Sequence, residues 1–272
     1  MTDEADRHRS HSYRLEDLDS SAELGRLRAQ VEQLAGPELE LLRRLGILSA
    51  KRFVDVGCGP GFFAEKLRSA VDGAEVIGVD VDAAMVELAT RRTSGTEGLS
   101  FRLGTGQRLP LDDDSVDVAY ARFLFQHLSQ PGDVLAEMKR VVKPGGVVVV
   151  GDTDDGGLLV YPAPEGFASF LEASARAQEA RGGDRHIGRK LKGLFVAGGF
   201  EDVRAHAQTL TSEEIGANTL VAIAVGFKAG VLGPPFATAE DIARVTQELD
   251  QLTRRPDFFG HAIGYLAWGR VP

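Results

Sequence analysis

Short apolar runs alternate with helical stretches through the middle of the chain, and this alternation limits the possible fold more than any other feature. The runs predict strands near residues 53–56, 76–79, 99–103, 116–120 and 147–150. Helical spacing of apolar residues lies between several of them, at residues 62–71, 83–92 and 131–142. The last run, Val147 to Val150, consists only of valine, which is typical of a strand buried on both faces of a parallel sheet. The pattern predicts a doubly wound α/β fold.

Further elements lie on both sides of this alternating core. Before it, a helix over residues 24–34 is predicted to end at Gly36-Pro37, and a short second helix follows at residues 39–45. After it, strands are predicted near residues 203–209 and 258–269, with helices near residues 165–181, 189–198, 212–229 and 239–252. We expect residues 1–50 to form an N-terminal helical cap and residues 51–272 the main domain. The main domain would carry a helical insertion at about residues 211–255.

Composition and charge exclude several classes of protein. Cys58 is the only cysteine among 272 residues, so no disulfide can form within the chain. No apolar run reaches the roughly 18 residues needed to span a bilayer, and residues 1–12 lack the apolar core of a signal peptide. A net charge of −9 with scattered basic residues disfavours nucleic acid as a partner. No His or Cys spacing predicts a metal site. We expect a cytoplasmic protein, monomer or homodimer, that acts on a small molecule away from membranes.

The strongest local signal is the glycine-rich turn at residues 57–61, Gly-Cys-Gly-Pro-Gly, which follows the first predicted strand. Glycines let the backbone turn tightly and approach a ligand, and the free N–H groups of the next helix point towards it. The G-x-G-x-G spacing differs from the G-x-G-x-x-G of dinucleotide sites. Asp80 ends the second strand, where a carboxylate can accept hydrogen bonds from a ribose diol. A plain strand–helix turn is the alternative for the glycines. Helix capping is the alternative for Asp80, although Asp82 is better placed as the N-cap.

Five sequence pieces follow one another in a family's characteristic order. They are Asp-Val-Gly-Cys-Gly-Pro-Gly at 55–61, Gly-Val-Asp at 78–80, the segments at 109–111 and 114–117, Arg-Phe-Leu-Phe-Gln-His-Leu at 122–128, and Arg-Val-Val-Lys-Pro-Gly-Gly at 140–146. With them, residues 50–155 resemble the class I S-adenosylmethionine-dependent methyltransferases, in the branch that includes quinone-biosynthesis and antibiotic-tailoring enzymes. The resemblance implies a Rossmann-like α/β fold. Its seven-stranded, mostly parallel sheet would have helices on both faces, the N-terminal cap, and the insertion before the last strand.

The resemblance also implies S-adenosylmethionine as cofactor, with S-adenosylhomocysteine as product. Gly57 and Gly59 would approach the methionine part, and Arg122 its amino-acid end. The family often has an acidic residue at the position of Thr105, so the Gly106 N–H and the Gln107 side chain would contribute more to adenine binding. The complete predicted set of cofactor residues is Tyr13, Gly57, Cys58, Gly59, Asp80, Val81, Met85, Thr105, Gly106, Gln107 and Arg122.

Methyl transfer from a sulfonium needs mainly an acceptor atom held in line with the S–CH₃ bond. The acceptor would be an O, N or C atom of a small molecule, and we expect the reaction to belong to specialised metabolism. His127 is the predicted general base for a hydroxyl or ammonium acceptor, with a structural histidine as the alternative. Asp152 and Asp155 are predicted to meet the substrate, with loop solvation or helix capping as alternatives.

We expect the acceptor pocket to come from the N-terminal cap, the loop at residues 152–167 and the insertion. The apolar run around Phe227 in the insertion would roof the pocket or be covered by a second protomer. Three other functions are compatible with parts of the pattern. They are a non-methylating reaction such as cyclisation, non-enzymatic binding of S-adenosylmethionine, and nicotinamide-dependent oxidoreduction, against which the glycine spacing argues.

Overall fold

An eight-stranded sheet organises the chain. The structure is a computed structural model that describes residues 20–272, apart from the side chains of residues 20–22, 227 and 231. The strands run in the order β3-β2-β1-β4-β5-β8-β6, and β7 also pairs with β8. Their bounds are β1 Arg52–Val56, β2 Glu75–Asp80, β3 Leu99–Leu103, β4 Val116–Arg122, β5 Val142–Thr153, β6 Leu159–Tyr161, β7 Glu201–Thr211 and β8 Phe259–Arg270.

Ten α-helices are found in residues 20–272. They are α1 Ser20–Arg44, α2 Phe62–Ala70, α3 Ala83–Arg92, α4 Pro131–Val141, α5 Phe167–Ala180, α6 Leu191–Ala197, α7 Ser212–Ile215, α8 Ala217–Val221, α9 Phe227–Val231 and α10 Ala239–Leu252. Short 3₁₀ turns lie at Ile47–Ser49, Phe125–His127, Asp155–Gly157 and Gly188–Lys190, and a π-helical segment spans Ala222–Gly226. Within this part of the chain, no helix combines the length and apolar character needed to cross a membrane.

The sheet confirms the expected α/β, mostly parallel architecture, with one more strand than expected. Strands β1 to β5 are parallel to one another, whereas β8 runs antiparallel to β5, β6 and β7. The additional strand is β6, which has only three residues and lies in a segment predicted as loop. Its pairing with β8 comes from tertiary contact, because three residues are too few to show an alternating pattern.

Side chains of successive strand residues point to opposite faces, and each face packs against its own helices. Val54 and Val56 belong to a buried cluster that includes residues of α4 and α6. Phe53 and Tyr120 belong to a second cluster, with residues of α1 and α2. The two clusters cover both faces of the sheet, as the sequence predicts.

The predicted helix break at Gly36-Pro37 is wrong, because α1 continues through Pro37 to Arg44. Proline removes one N–H from the helix and normally favours a kink or an end. Buried contacts on both sides offset this cost here, since Val31 and Ala35 precede the proline while Leu41 and Leu42 follow it in the same buried cluster. Tertiary packing therefore outweighs the local signal.

The insertion is less regular than the two helices predicted for it. Thr211 and Glu214 form a capping box that starts α7, and Gly216, at φ 84° and ψ 141°, separates α7 from α8. The π-helical segment then leads into α9. Val225 and Leu232 pack with residues of α5 and α10 in a third buried cluster. The division into an N-terminal cap and one main domain that includes the insertion stays a prediction.

Candidate active site

A cavity of about 380 Å³ opens at the carboxyl ends of the parallel strands. Strands β2 and β3 lie on one side of β1 in the sheet, and β4 and β5 lie on its other side, so the strand order reverses between β1 and β4. Ligands of open α/β sheets bind where the strand order reverses in this way. Gly57, after β1, and Arg122, at the end of β4, both line the cavity at this point.

The glycine-rich turn takes its shape from backbone conformations that favour glycine. Gly57 has φ 73° and Gly59 has φ 52°, both in the left-handed region. The turn is fixed to β2 by hydrogen bonds from the N–H groups of Gly57 and Cys58 to the carbonyl oxygen of Val79. A Cβ built on Gly59 would meet no protein atom within 4 Å. The turn therefore leaves open space at Gly59, where a ligand can come close to the backbone.

Asp80 lies at the tip of β2 and shapes this turn as well as lining the cavity. Its Oδ2 accepts a hydrogen bond from Gly59 N at 2.7 Å, and its Oδ1 accepts one from Asp82 N at 2.9 Å. Burial raises the pKa of Asp80, and the backbone hydrogen bonds oppose this effect. A carboxylate oxygen can accept more than one hydrogen bond, so Asp80 can also accept from a ribose hydroxyl. The predicted N-cap is confirmed, since the Asp82 side chain accepts from Ala84 N and Met85 N.

Arg122 lines the cavity and forms a buried ion pair with Glu38 of α1. Arg122 Nε donates to Glu38 Oε2 at 2.8 Å, and the Tyr120 hydroxyl also donates to Glu38. The guanidinium carbon lies 4.4 Å from the centroid of the Phe123 ring and 5.3 Å from that of Phe63. These contacts hold one edge of the guanidinium and leave the other edge for a further acceptor.

Two buried polar atoms near the turn have no hydrogen-bond partner within residues 20–272. They are Arg122 Nη2, a cationic donor, and Asp55 Oδ2, an acidic acceptor. Burial raises the pKa of Asp55 to about 7, and the neighbouring Arg122 opposes this rise. A methionine-type amino acid carries a carboxylate and an ammonium, which match these two atoms in sign. The residues present therefore fit the amino-acid end of S-adenosylmethionine.

The residues predicted to bind adenine line the same cavity. Val81, Met85 and the segment 104–107 all line it. Met85 is almost fully buried, whereas Val81 is 45% exposed. The Thr105 hydroxyl accepts a hydrogen bond from Arg108 N at 3.1 Å, so it stabilises its own turn. Cys58 also lines the cavity, and burial raises the pKa of its thiol, as expected of an unreactive cysteine.

His127 lines the cavity from the 3₁₀ turn after β4. Its Nδ1 lies 3.1 Å from Gln178 Nε2, an amide nitrogen that can only donate. This contact indicates a tautomer in which Nδ1 accepts and Nε2 carries the proton. Burial, with the charges of Arg185 and Arg26, lowers the pKa of His127 to about 3. The imidazole is therefore neutral near pH 7.

The acidic residues at the end of β5 and just after it have different partners. Asp152 is fully buried and accepts hydrogen bonds from Gln126 N and Thr153 N, and burial raises its pKa to about 7. Asp155 lies against Lys228, with Oδ1 to Nζ at 3.1 Å. Both aspartates line the cavity, and Asp152 also fixes the turn that carries His127.

The three segments expected to form the acceptor pocket all contribute to the cavity wall. Leu27, Val31 and Leu34 come from α1, Leu158 from the loop after β5, and Leu220, Ile223 and Ala224 from the insertion. Strands β7 and β8 add a wall that the sequence did not predict, with Gln208, Leu210 and residues 262–266. Tyr13 and the side chain of Phe227 lie outside the described residues, so their predicted roles stay predictions.

The sequence reasoning missed several charged residues of the cavity. Glu38 follows the expected helix break, so its burial was not anticipated. Asp55 was noticed only as part of the glycine motif, although its place just before Gly57 brings it to the carboxyl end of β1. Arg185 and Lys228 gave no sequence signal, since single basic residues in helical or loop segments are normally solvated. Only the tertiary fold brings them to the cavity.

The fold and the turn together define an α/β domain that binds its ligand at the carboxyl ends of its strands. Residues 54–150 match the family described as methyltransferase domain. Residues 54–150 are thus similar to the methyltransferase domains of the class I S-adenosylmethionine-dependent enzymes, in agreement with the sequence motifs. S-adenosylmethionine is the cofactor of that class, and the residues around the cavity fit it.

Single proteins are similar to this chain over different shares of its length. An uncharacterized methyltransferase of Schizosaccharomyces pombe is 32% identical over 168 residues, which cover 59% of this chain and 60% of that protein. The chain spans about half the length of the curated relatives it matches. The structure of an S-adenosylmethionine-dependent methyltransferase from Thermotoga maritima, titled a possible histamine N-methyltransferase, has 26% identity and a TM-score of 0.53. It covers 72% of this chain and 83% of its own. The cyclase SpnF shares the fold, with 22% identity, a TM-score of 0.55, and 88% and 83% coverage of the two chains.

Proposed function

We propose that this protein transfers the methyl group of S-adenosylmethionine to a small-molecule acceptor. One observation carries the proposal: a single cavity joins the glycine turn, Asp80 and Arg122 to a largely apolar wall from α1, the insertion and β8. Cofactor and acceptor can then share one enclosed space, as in-line transfer requires. The net charge of −9 supports a small molecule rather than nucleic acid as acceptor. A cytoplasmic setting and a monomeric or homodimeric state belong to the same proposal.

Each cofactor residue has a distinct task in this proposal. Asp80 accepts hydrogen bonds from the ribose, and the N–H groups and open space of the turn admit the methionine chain. Arg122 Nη2 donates to the cofactor carboxylate, while Asp55 Oδ2 accepts from its ammonium. When bound, S-adenosylmethionine supplies an activated sulfonium methyl, so the protein contributes mainly orientation and the exclusion of water.

His127 is better suited to donate a hydrogen bond than to accept a proton. A general base works best when its pKa lies near the working pH. The pKa of His127 is lowered to about 3, and the Gln178 contact uses its Nδ1. We propose that His127 remains neutral throughout and orients the acceptor rather than removing its proton.

The proposal is tested by binding first and by transfer second. Calorimetry should detect S-adenosylhomocysteine binding, and the ligand should raise the thermal unfolding temperature. NADH is the control and should do neither. Incubation with methyl-labelled S-adenosylmethionine and a panel of hydroxyl, amine and carbon acceptors should then transfer label. Binding without transfer to any acceptor would favour a non-methylating reaction or a non-enzymatic binder, whereas binding of NADH alone would overturn the proposal.

A further inference from the structure

Gln178, a buried residue of α5, contacts the imidazole of His127. Its side chain belongs to a residue that is 5% exposed, whereas His127 lines the cavity. Gln178 Nε2 lies 2.9 Å from the carbonyl oxygen of Gln126 and 3.1 Å from His127 Nδ1. The two hydrogens of a glutamine amide can supply one hydrogen bond to each of these atoms. This arrangement decides which nitrogen of the imidazole carries its proton.

The backbone of Gln126 determines which end of the Gln178 amide faces the imidazole. The orientation of a glutamine amide follows from the hydrogen bonds around it. A carbonyl oxygen can only accept, so the atom of Gln178 that faces Gln126 O must be the amide nitrogen. The same carbonyl oxygen also accepts from Asp184 N at 2.9 Å. If the amide were reversed, its oxygen would face the oxygen of Gln126, and this buried hydrogen bond would be lost.

The segment after α5 holds the amide in place. Gly183 N donates to the backbone oxygen of Gln178 at 3.0 Å. A Cβ built on Gly183 would overlap with Gln126 O and Gln178 Nε2, so the chain passes directly against both atoms. Gln126 is fixed in turn, since its N–H donates to Asp152 Oδ2 at 3.0 Å and its Oε1 accepts from Arg185 Nη1 at 2.6 Å. The fold therefore directs an N–H donor of Gln178 at Nδ1 of the imidazole.

A donor at Nδ1 excludes the imidazole proton from that nitrogen. His127 is neutral near pH 7, because burial and the charges of Arg185 and Arg26 lower its pKa to about 3. A neutral imidazole carries one proton, which must then be on Nε2. Any group that meets Nε2, whether it belongs to a ligand or to the chain itself, has to accept a hydrogen bond from it.

On this basis we propose that Gln178 is a positioning residue that keeps His127 a hydrogen-bond donor. This inference rests on the proposed function, in which His127 orients the acceptor. Histidines that act as bases are held in the opposite sense, by a carboxylate that accepts from Nδ1–H and leaves the lone pair of Nε2 for the proton. Gln178 supplies a donor where those enzymes supply an acceptor. It thereby prevents His127 from removing a proton through Nε2.

Nitrogen NMR of the full chain with isotope-labelled histidine measures this tautomer directly. The chain has six histidines, and comparison with H127Q identifies the ring signals of His127. At pH 8, with and without S-adenosylhomocysteine, we expect an unprotonated Nδ1 and a protonated Nε2 in the wild type. Q178E keeps the size of the side chain but places there a carboxylate, which can only accept. It should move the proton to Nδ1. Q247E, the same substitution at an exposed position of α10, is the matched control and should leave the tautomer unchanged.

The same variants test the role of Gln178 in transfer. With a confirmed acceptor, Q178E should lower kcat/KM by about tenfold or more, because a lone pair replaces the proton of Nε2. S-adenosylhomocysteine should bind to Q178E as to the wild type, and Q247E should change neither quantity.

Several results would overturn the inference. A wild-type His127 with its proton on Nδ1 would do so even if Q178E folds poorly. A Q178E variant that keeps the wild-type tautomer, or one that moves the proton and still transfers methyl at the wild-type rate, would do so as well. Failure of the wild type to bind S-adenosylhomocysteine would instead refute the proposed function, and the tautomer of His127 could still be measured.

Discussion

Glu38 and Arg122 are 84 positions apart in sequence, yet Glu38 Oε2 accepts a hydrogen bond from Arg122 Nε at 2.8 Å. The pair joins helix α1 to the end of β4, and both side chains are only 6% exposed. Because a buried charge that loses its partner is strongly destabilising, the position of α1 and that of the Arg122 guanidinium depend on each other. Any ligand that binds Arg122 is therefore coupled to α1.

We predict that S-adenosylhomocysteine slows amide hydrogen exchange in α1, mainly over residues 26–38. The cause is the Glu38–Arg122 pair, which transmits the ordering of the guanidinium to the helix. Exchange measured by mass spectrometry with and without the ligand checks this. Protection confined to the glycine turn and β2, with α1 unchanged, would show that the pair does not couple them.

D80N should weaken S-adenosylhomocysteine binding by about tenfold or more, because it removes a charge-assisted hydrogen bond worth roughly 1.5–3 kcal/mol. Asparagine has one carbonyl oxygen, so the variant can accept from only one of the two backbone N–H groups that the Asp80 oxygens bind. D82N is the matched control, since asparagine caps a helix as well as aspartate does. Calorimetry on both variants provides the measurement. Equal losses in the two would mean that Asp80 is not the ribose contact.

A224F should reduce methyl transfer more than tenfold and leave S-adenosylhomocysteine affinity unchanged. Ala224 lines the acceptor side of the cavity, so a phenyl ring there would occupy space that the acceptor needs. A222F is the control, because Ala222 lies in the same π-helical segment with its side chain exposed. The measurement is the rate at which each variant transfers the labelled methyl group to a confirmed acceptor. Equal activity of A224F and the wild type would mean that the insertion does not contact the acceptor.

H127Q should lower turnover by less than tenfold, because glutamine can still donate a hydrogen bond. The shape of the pH profile between pH 5 and 8 should not change, since the pKa of His127 lies near 3. A general base would behave differently, with a loss of about 10²- to 10⁴-fold and the disappearance of an acid limb. Steady-state rates of H127Q and the wild type across this pH range decide between the two roles.

Asp152 should make folding stability depend on pH in a direction opposite to that of an ordinary paired carboxylate. Burial raises its pKa in the folded protein to about 7, from the ordinary aspartate value of 3.8. The folded state therefore holds a proton that the unfolded state has lost, and stability falls as pH rises from about 4 to about 7. The wild type should lose up to about 4 kcal/mol relative to D152N over this range.

Urea unfolding of the wild type and D152N at pH 5 and pH 8 measures this difference. D72N, at an exposed aspartate, is the control for the substitution itself. A free-energy difference between wild type and D152N that is constant with pH would show that Asp152 ionises normally.

The sequence predicted the central sheet and the cofactor side of the cavity well, because both depend on local patterns. A strand that ends in glycines, with an acid ending the next strand, already fixes which side chains meet at one edge of a parallel sheet. The helical capping by Asp82 was predictable for the same reason, since a cap depends on neighbouring residues alone.

The acceptor side could not be predicted in this way. Lys228, Arg185 and Asp155 come from three distant segments, and their burial depends on how the insertion packs against the end of β5. Pro37 shows the same limit in the opposite direction, because a strong local break signal was overridden by burial of residues on both sides. The three-residue strand β6 exists only through its pairing with β8.

The last strand gives the protein a fixed order of assembly during synthesis. Strands β1 to β5, with the glycine turn, Asp80 and Arg122, leave the ribosome before β8 has been translated. Strand β8 pairs with β5, β6 and β7, and its residues 262–266 form part of the cavity wall. Such long-range pairing is slow compared with local contacts. A nascent chain can therefore assemble its cofactor-binding strands early, but it closes the acceptor wall only after β8 has been translated.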